Sequence, residues 1–153
     1  MTVTSAGILL YRRRGGSLQV LLVHPGGPLW AKKDAGAWSI PKGEVGDGEE
    51  PQASALREFE EELGAPLGLS PEQLIELGSV RQKGGKVVEC WGAEGDFDPE
   101  LQHSNTFTME WPPRSGIQCE FPEVDRAEWF GIEEARQRIN PAQAAFLDKL
   151  IGR

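Results

Sequence analysis

The chain lacks any run of about 18 apolar residues, the length a helix needs to cross a bilayer, which argues against a membrane-spanning helix. Its N-terminus has no basic region ahead of its short apolar run and does not read as a secretory signal. Cysteine is scarce: Cys90 and Cys119 have no zinc-ligand spacing and make no disulfide framework. Two buried free thiols and a cytoplasmic location are the expectation. Positive charge is also short. Lys and Arg number 16 against 24 Asp and Glu, a net charge of −8, which argues against wholesale binding to nucleic acid or to an anionic membrane. An anionic small molecule remains open to the chain if metal ions and local basic residues override that field. Internal repeats, linkers and low-complexity segments are absent too.

What is present is the make-up of one globular domain over residues 1–153, with 39% hydrophobic and 26% charged residues. Residues 2–11 and 18–23 read as strands around a turn at Arg12 to Gly16, with apolar runs continuous enough for burial on both faces. Residues 74–81 and 87–94 read as strands joined by a turn over Gln82 to Lys86, where Gly84-Gly85 supplies positive φ. A further strand spans 106–111 and is stopped by Pro112-Pro113. Residues 96–104 read as irregular, 116–124 hold Glu120 and Glu123 with no element assigned, 127–130 read as a short strand and 132–139 as a helix. Asn140 is a good cap, with Pro141 behind it, for a terminal helix to Ile151. This order suits a mixed sheet covered on both sides, an α/β architecture.

The most informative stretch is Gly43 to Ala65, GEVGDGEEPQASALREFEEELGA. On a helix, Leu56, Phe59 and Leu63 fall within roughly 60° of one another, and Glu58, Glu61 and Glu62 gather about 200° from Leu56. One face can therefore pack on a core while the other presents three carboxylates. Glu58 and Glu62 repel at i, i+4 by roughly 0.2–0.5 kcal/mol, and a hard divalent cation reverses that sign. Arg57 is placed to pair with Glu61, Pro51 suits the helix start and Gly64 its end.

The stretch resembles the Nudix box, Gly-x5-Glu-x7-Arg-Glu-U-x-Glu-Glu-x-Gly-U, where U is apolar, and every fixed position matches. Phe59 and Ala65 fill the U positions, Ala65 being smaller than usual. Trp38-Ser39-Ile40-Pro41-Lys42 ahead of it also looks like the family. The resemblance implies an α/β/α sandwich with a mixed sheet and a pyrophosphohydrolase, MutT-like, cleaving a nucleoside diphosphate linked to another group. It implies Mg²⁺, with Mn²⁺ as the alternative. Glu61 and Glu62 would be ligands, Glu58 a ligand or the group orienting the water, and the carbonyl of Lys42 or Gly43 would complete the shell. Arg57 would hold Glu61 and Glu49 would brace the loop. Glu123, six residues before Trp129, matches the placement of a late general base or extra ligand, with Glu120 in reserve.

Substrate contacts are sought among the aromatic and basic residues outside the box. Trp30 reads either as a packed anchor or as a platform for a base, with Lys32 or Lys33 near phosphates. Lys42, Lys83 in a basic turn, and Arg114 in a proline-rich turn are further candidates. The approach to the box and the basic clusters favour a dinucleoside polyphosphate or a (d)NTP. The alternative is a nucleotide-binding sensor without turnover. The expected partner is a nucleotide, not nucleic acid or membrane, and the chain is expected to be a monomer or homodimer.

Overall fold

The structure, a computed structural model, describes residues 3–152. β1 (Thr4–Arg14) and β2 (Ser17–Pro25) form a hairpin about Gly15 and Gly16, at φ 58° and 82°. Two successive positive-φ residues make the tight turn that the right-handed twist of a hairpin favours. The turn is therefore shorter than the expected Arg12–Gly16, and the three arginines stay in the ladder, with Arg12 opposite Gln19 and Arg14 opposite Ser17.

The main sheet adds β3 (Lys42–Glu44), β4 (Ile75–Arg81), β5 (Val87–Glu94) and β8 (Val124–Gly131). Its order is β4-β5-β1-β2-β8, with β3 beside β1. β1 runs parallel to β5, and the other pairs are antiparallel. Alternate β1 residues go to opposite faces, as a strand requires. Leu9 joins Trp38, Ile40, Phe146 and Leu147 under α2 (Ile132–Arg138) and α3 (Ala144–Ile151). Ile8 and Leu10 join Phe59, Leu63 and Trp91 under α1 (Pro51–Leu63). The result is the expected α/β/α sandwich on a mixed sheet.

β1 and β2 pair only from Tyr11 to Arg14 and then part. Residues 38–44 fill the opening. Ser39 bridges Val23 of β2, and β3 pairs Ser5 to Gly7 of β1. The approach to β1 is close: a Cβ on Gly7 would lie 2.6 Å from the Pro41 carbonyl oxygen and 2.7 Å from Lys42 Cβ. Gln143, fully buried, locks the same segment from the other side. Its Oε1 accepts from the Ile40 N–H at 3.0 Å, and its Nε2 donates to Ser39 Oγ at 3.0 Å and to Gln82 Oε1 at 2.8 Å.

Residues 116–124, to which the sequence reading gives no element, supply β7 (Gln118–Pro122), which pairs with β6 (Thr106–Glu110) in a separate two-stranded sheet. Asn140 caps a 3₁₀ turn, Pro141–Gln143, which then runs into α3. Both cysteines are free, but only Cys90 is buried; Cys119 lies half-exposed on β7. No described helix is long and apolar enough to cross a membrane.

Gly7→Ala should destabilise the protein by about 1–3 kcal/mol through overpacking against Pro41 and Lys42. Urea unfolding checks this, and an unchanged midpoint would show that the wedge tolerates more room than its contacts imply.

Candidate active site

α1 begins at Pro51 and ends at Gly64, whose φ of 86° places it in the left-handed region and whose N–H donates to the Glu60 carbonyl at 2.7 Å. Phe59 and Leu63 are buried beneath it, and off that face Glu62 meets the Lys42 N–H while the Glu58 carboxylate lies against Gly43. Arg57 gathers the acids. Its Nε and Nη2 reach Glu49 at 2.7 and 3.0 Å, and its Nη1 reaches Glu58 at 2.9 Å and Glu61 at 3.1 Å. Glu49 also accepts from the Gly46 N–H at 2.8 Å, which closes the glycine-rich loop. The Arg57 fork and that N–H hold the Glu49 carboxyl down at about 2.

Glu62 accepts from the Lys42 N–H at 3.3 Å. Burial, reinforced by the Glu58 and Glu123 charges, pushes its carboxyl up to about 8 against the pull of Lys42. Burial and then Glu61 push Glu58 up as well, with Arg57 opposing. Lys42 is pushed down by burial and by Lys86, while Glu62 opposes. Burial thus drives both Lys42 and Glu62 toward their neutral forms. The backbone passes hard against this cluster, because any side chain at Gly43 would run into the Glu58 carboxylate.

Glu123 is tied to the same helix through the backbone. The Asn105 N–H donates to the Glu61 carbonyl at 3.3 Å, the Glu123 N–H to the Asn105 carbonyl at 2.9 Å, and the Gly26 N–H to the Glu123 carbonyl at 2.9 Å. Two clefts meet at Glu123. One, of about 130 Å³, is lined by Ser39, Lys42 and Glu62; the other, of about 240 Å³, by Trp30, Phe107 and Met109.

The family model for the NUDIX domain matches residues 1–150. The chain belongs to the NUDIX domain family. It is 29% identical to the asymmetrical bis(5'-nucleosyl)-tetraphosphatase of Rattus norvegicus over 90% of this chain and 84% of that protein. It is 30% identical to the RNA pyrophosphohydrolase of Agrobacterium fabrum over 74% of this chain and 69% of that one. The crystal structure of a C. elegans Ap4A hydrolase binary complex shares the fold at a TM-score of 0.67, with 22% identity, over 97% of this chain and 96% of the other.

Within this NUDIX domain, the residues expected at the site divide into two groups. Glu58, Glu61, Glu62, Arg57, Lys42, Gly43 and Glu123 come together. Trp30 is no packed anchor: it is 39% exposed, with Lys33 Nζ 5.1 Å from its ring centre. Lys32 is exposed and lines neither cleft. Lys83 is exposed on the β4–β5 turn, where Lys86 is the residue whose charge reaches Lys42. Arg114 sits at the outer tip of the β6–β7 hairpin, beyond the Glu110–Gln118 end and away from the Pro122 end that leads to Glu123. Glu120 is exposed and lines neither cleft. His24 has two partners: its Nε2 donates to the Lys33 carbonyl at 2.6 Å, and its Nδ1 lies 2.8 Å from the Asp125 carboxylate.

Phe107, Met109 and Gln143 stand out only in the structure. The alternation in TFTMEW and QCEFP is the signal for the first two, but Pro122 and the flanking acids obscure its second half. Gln143 leaves no trace in helical periodicity.

Among the described residues no three acidic, His or Cys side chains are gathered closely enough to share one ion. The donors nonetheless suit a hard divalent cation. All are carboxylate oxygens, two are pushed toward the neutral form by burial and mutual repulsion, and Arg57 supplies the countercharge.

Without metal, folded Glu62 keeps its proton up to about pH 8, whereas the unfolded chain releases it near the ordinary glutamate value of 4.5. The folded state binds the extra proton in that window, so its stability falls as pH rises through it. Glu62→Gln should therefore raise the melting temperature in EDTA at pH 8.5 by on the order of 5 °C and change it little at pH 5. Equal shifts at both pH values would refute the assignment.

Proposed function

We propose that the chain is a Mg²⁺-dependent pyrophosphohydrolase that cleaves a phosphoanhydride bond in a nucleoside diphosphate linked to another group. The substrate class is a dinucleoside polyphosphate or a nucleoside triphosphate. The observation that supports this reading is that Glu62 and Glu123 line one cleft beside Lys42, with the Glu58 carboxylate against Gly43 and Glu61 joined to Glu58 through Arg57. The rat and Agrobacterium relatives, a tetraphosphatase and a pyrophosphohydrolase, support a phosphoanhydride bond as the target.

Glu61 and Glu62 would hold the cation, Glu58 would hold it or orient the water, and the carbonyl of Lys42 or Gly43 would complete the shell. A divalent cation, Mg²⁺ or Mn²⁺, would neutralise the non-bridging oxygens and stabilise the leaving phosphate. Arg57 keeps Glu58 and Glu61 in place without competing for the phosphates, because Glu49 occupies its other edge. Lys42 faces the substrate's phosphates, and an approaching polyphosphate favours its charged form. Glu123, at the meeting of the two clefts, is the general base. Trp30 offers its exposed ring to the base of the nucleotide.

The test is incubation with Mg²⁺ and a panel of diadenosine tetraphosphate, ordinary and oxidised dNTPs and ADP-ribose. Products are resolved by ion exchange, with Glu61→Gln and Glu123→Gln alongside. Glu61→Gln should abolish cleavage, and Glu123→Gln should lower kcat by about 10² or more. A loss under about threefold removes Glu123 from the chemistry. Saturable nucleotide binding by the folded protein with no product overturns the hydrolase reading in favour of a sensor.

A further inference from the structure

Val20 and Leu22 of β2 enter the core beneath α2 and α3, and position 24 continues their row along the strand. The residue there is His24, wholly buried and edge-on to Trp38 with ring centres 5.2 Å apart. An apolar side chain would serve packing at this place, whereas a buried imidazole costs free energy unless its nitrogens are bonded. Both are bonded, Nε2 to the Lys33 carbonyl and Nδ1 to the Asp125 carboxylate. Neither partner lies in the carboxylate cluster, but each stands at the root of a segment that reaches it.

The first segment is the loop after β2. Leu29 to Lys33 are exposed. Residues 27–33 bond to one another, the Trp30 N–H to the Gly27 carbonyl at 3.3 Å and the Lys33 N–H to the Trp30 carbonyl at 3.0 Å. Among the described residues, the one hydrogen bond that joins residues 27–33 to the rest of the protein is the one from His24 Nε2. The second segment is the start of β8, where the ladder carries a bulge. His24 stands opposite Arg126 and Pro25 opposite Val124, so Asp125 is an extra residue with no opposite number on β2. A bulge bends its strand and re-aims the side chains beside it. This one lies two residues from Glu123, and the Asp125 carboxylate that marks it is held by His24 from within and by Arg126, at 3.6 Å, from outside.

We propose that His24 is a positioning residue for the reaction: Nε2 sets the loop that presents Trp30, and Nδ1 sets the bulge that aims Glu123. This inference rests on the hydrolase reading, with Trp30 against the nucleotide and Glu123 as the base.

Two substitutions separate the ties. The amide nitrogen of asparagine overlays Nδ1 of histidine and that of glutamine overlays Nε2. His24→Asn therefore keeps the bond to Asp125, and His24→Gln keeps the bond to Lys33. Turnover is measured with Mg²⁺ and diadenosine tetraphosphate or the dNTP that the wild type cleaves. His24→Asn should raise KM by about tenfold, roughly the worth of one hydrogen bond, with kcat within about twofold of wild type. It should also speed trypsin cleavage after Lys32 and Lys33 by about tenfold, because a loop with fewer ties opens more often, while His24→Gln is cut at the wild-type rate. His24→Gln should lower kcat by about tenfold with KM within about twofold, as misplacement of a reacting group does. Asp125→Ala, at an exposed position outside both cores, should reproduce that loss. Neither change should lower kcat further in a Glu123→Gln background, because each acts through Glu123. Parallel losses of kcat and KM in both His24 variants, a full additional loss on top of Glu123→Gln, or wild-type trypsin resistance in His24→Asn would overturn the proposal. A wild-type protein that binds nucleotide and turns nothing over would overturn the hydrolase reading, and the trypsin result then decides the role of His24 in the loop by itself.

Discussion

The parting of β1 and β2 is the constraint on which the rest of the structure depends. Two antiparallel strands that stop pairing expose unpaired backbone groups in the middle of a sheet, and a buried group of that kind is costly. Residues 38–44 satisfy them: Ser39 exchanges N–H and carbonyl with Val23, and Pro41 accepts from the Ile8 N–H at 3.1 Å. The segment that repairs the sheet therefore delivers Lys42 and Gly43 to the end of α1. A site loop that is also a sheet component is held as rigidly as the core. Gln143 adds to this by tying the same segment to α3 and to the basic β4–β5 turn through Gln82.

The second constraint is charge. Four carboxylates around one opening repel, and burial adds to the cost of ionising Glu58 and Glu62. Arg57 offsets part of this by serving Glu49, Glu58 and Glu61 at once, with Glu49 anchoring the fork to the loop through Gly46. In the proposed hydrolase, the remaining repulsion would give a divalent cation its differential affinity for the folded site. Under that reading, stability in the metal-free state and function with metal would pull in opposite directions at Glu62, as is common at functional sites.

Much of this was legible in the chain because its signals are local. Pro51, Gly64 and the spacing of Leu56, Phe59 and Leu63 mark α1 to the residue. Gly84-Gly85 marks a turn, with φ of 91° and 87°. The Arg57–Glu61 pair follows from i, i+4 geometry. What was not legible is long-range. Glu123 matched a family placement, but its link to α1 through Asn105 spans more than 60 residues and leaves no periodic trace. The basic clusters were visible, yet only the three-dimensional arrangement separates Lys86, whose charge reaches Lys42, from Lys83 and Arg114, which line neither cleft. Strand β7 was masked by its own acids and its terminal proline, and with it half of the hairpin face was lost from view.

That hairpin explains why the site is divided as it is. The sheet and α1 supply a charged, rigid cleft whose geometry is set by backbone pairing on every side. The hairpin and the loop after β2 supply an apolar cleft that belongs to neither core and meets the rest at Gly26 and Glu123. A carboxylate cluster cannot tolerate apolar walls without raising its carboxyl pKa values further, and an apolar cleft gains nothing from fixed charge. Separating them lets each keep the dielectric it needs, with Pro25 and Glu123 lining both. A polyphosphate chain is the kind of ligand that can span such a division, because its flexible charged portion and its flat apolar end are themselves separate.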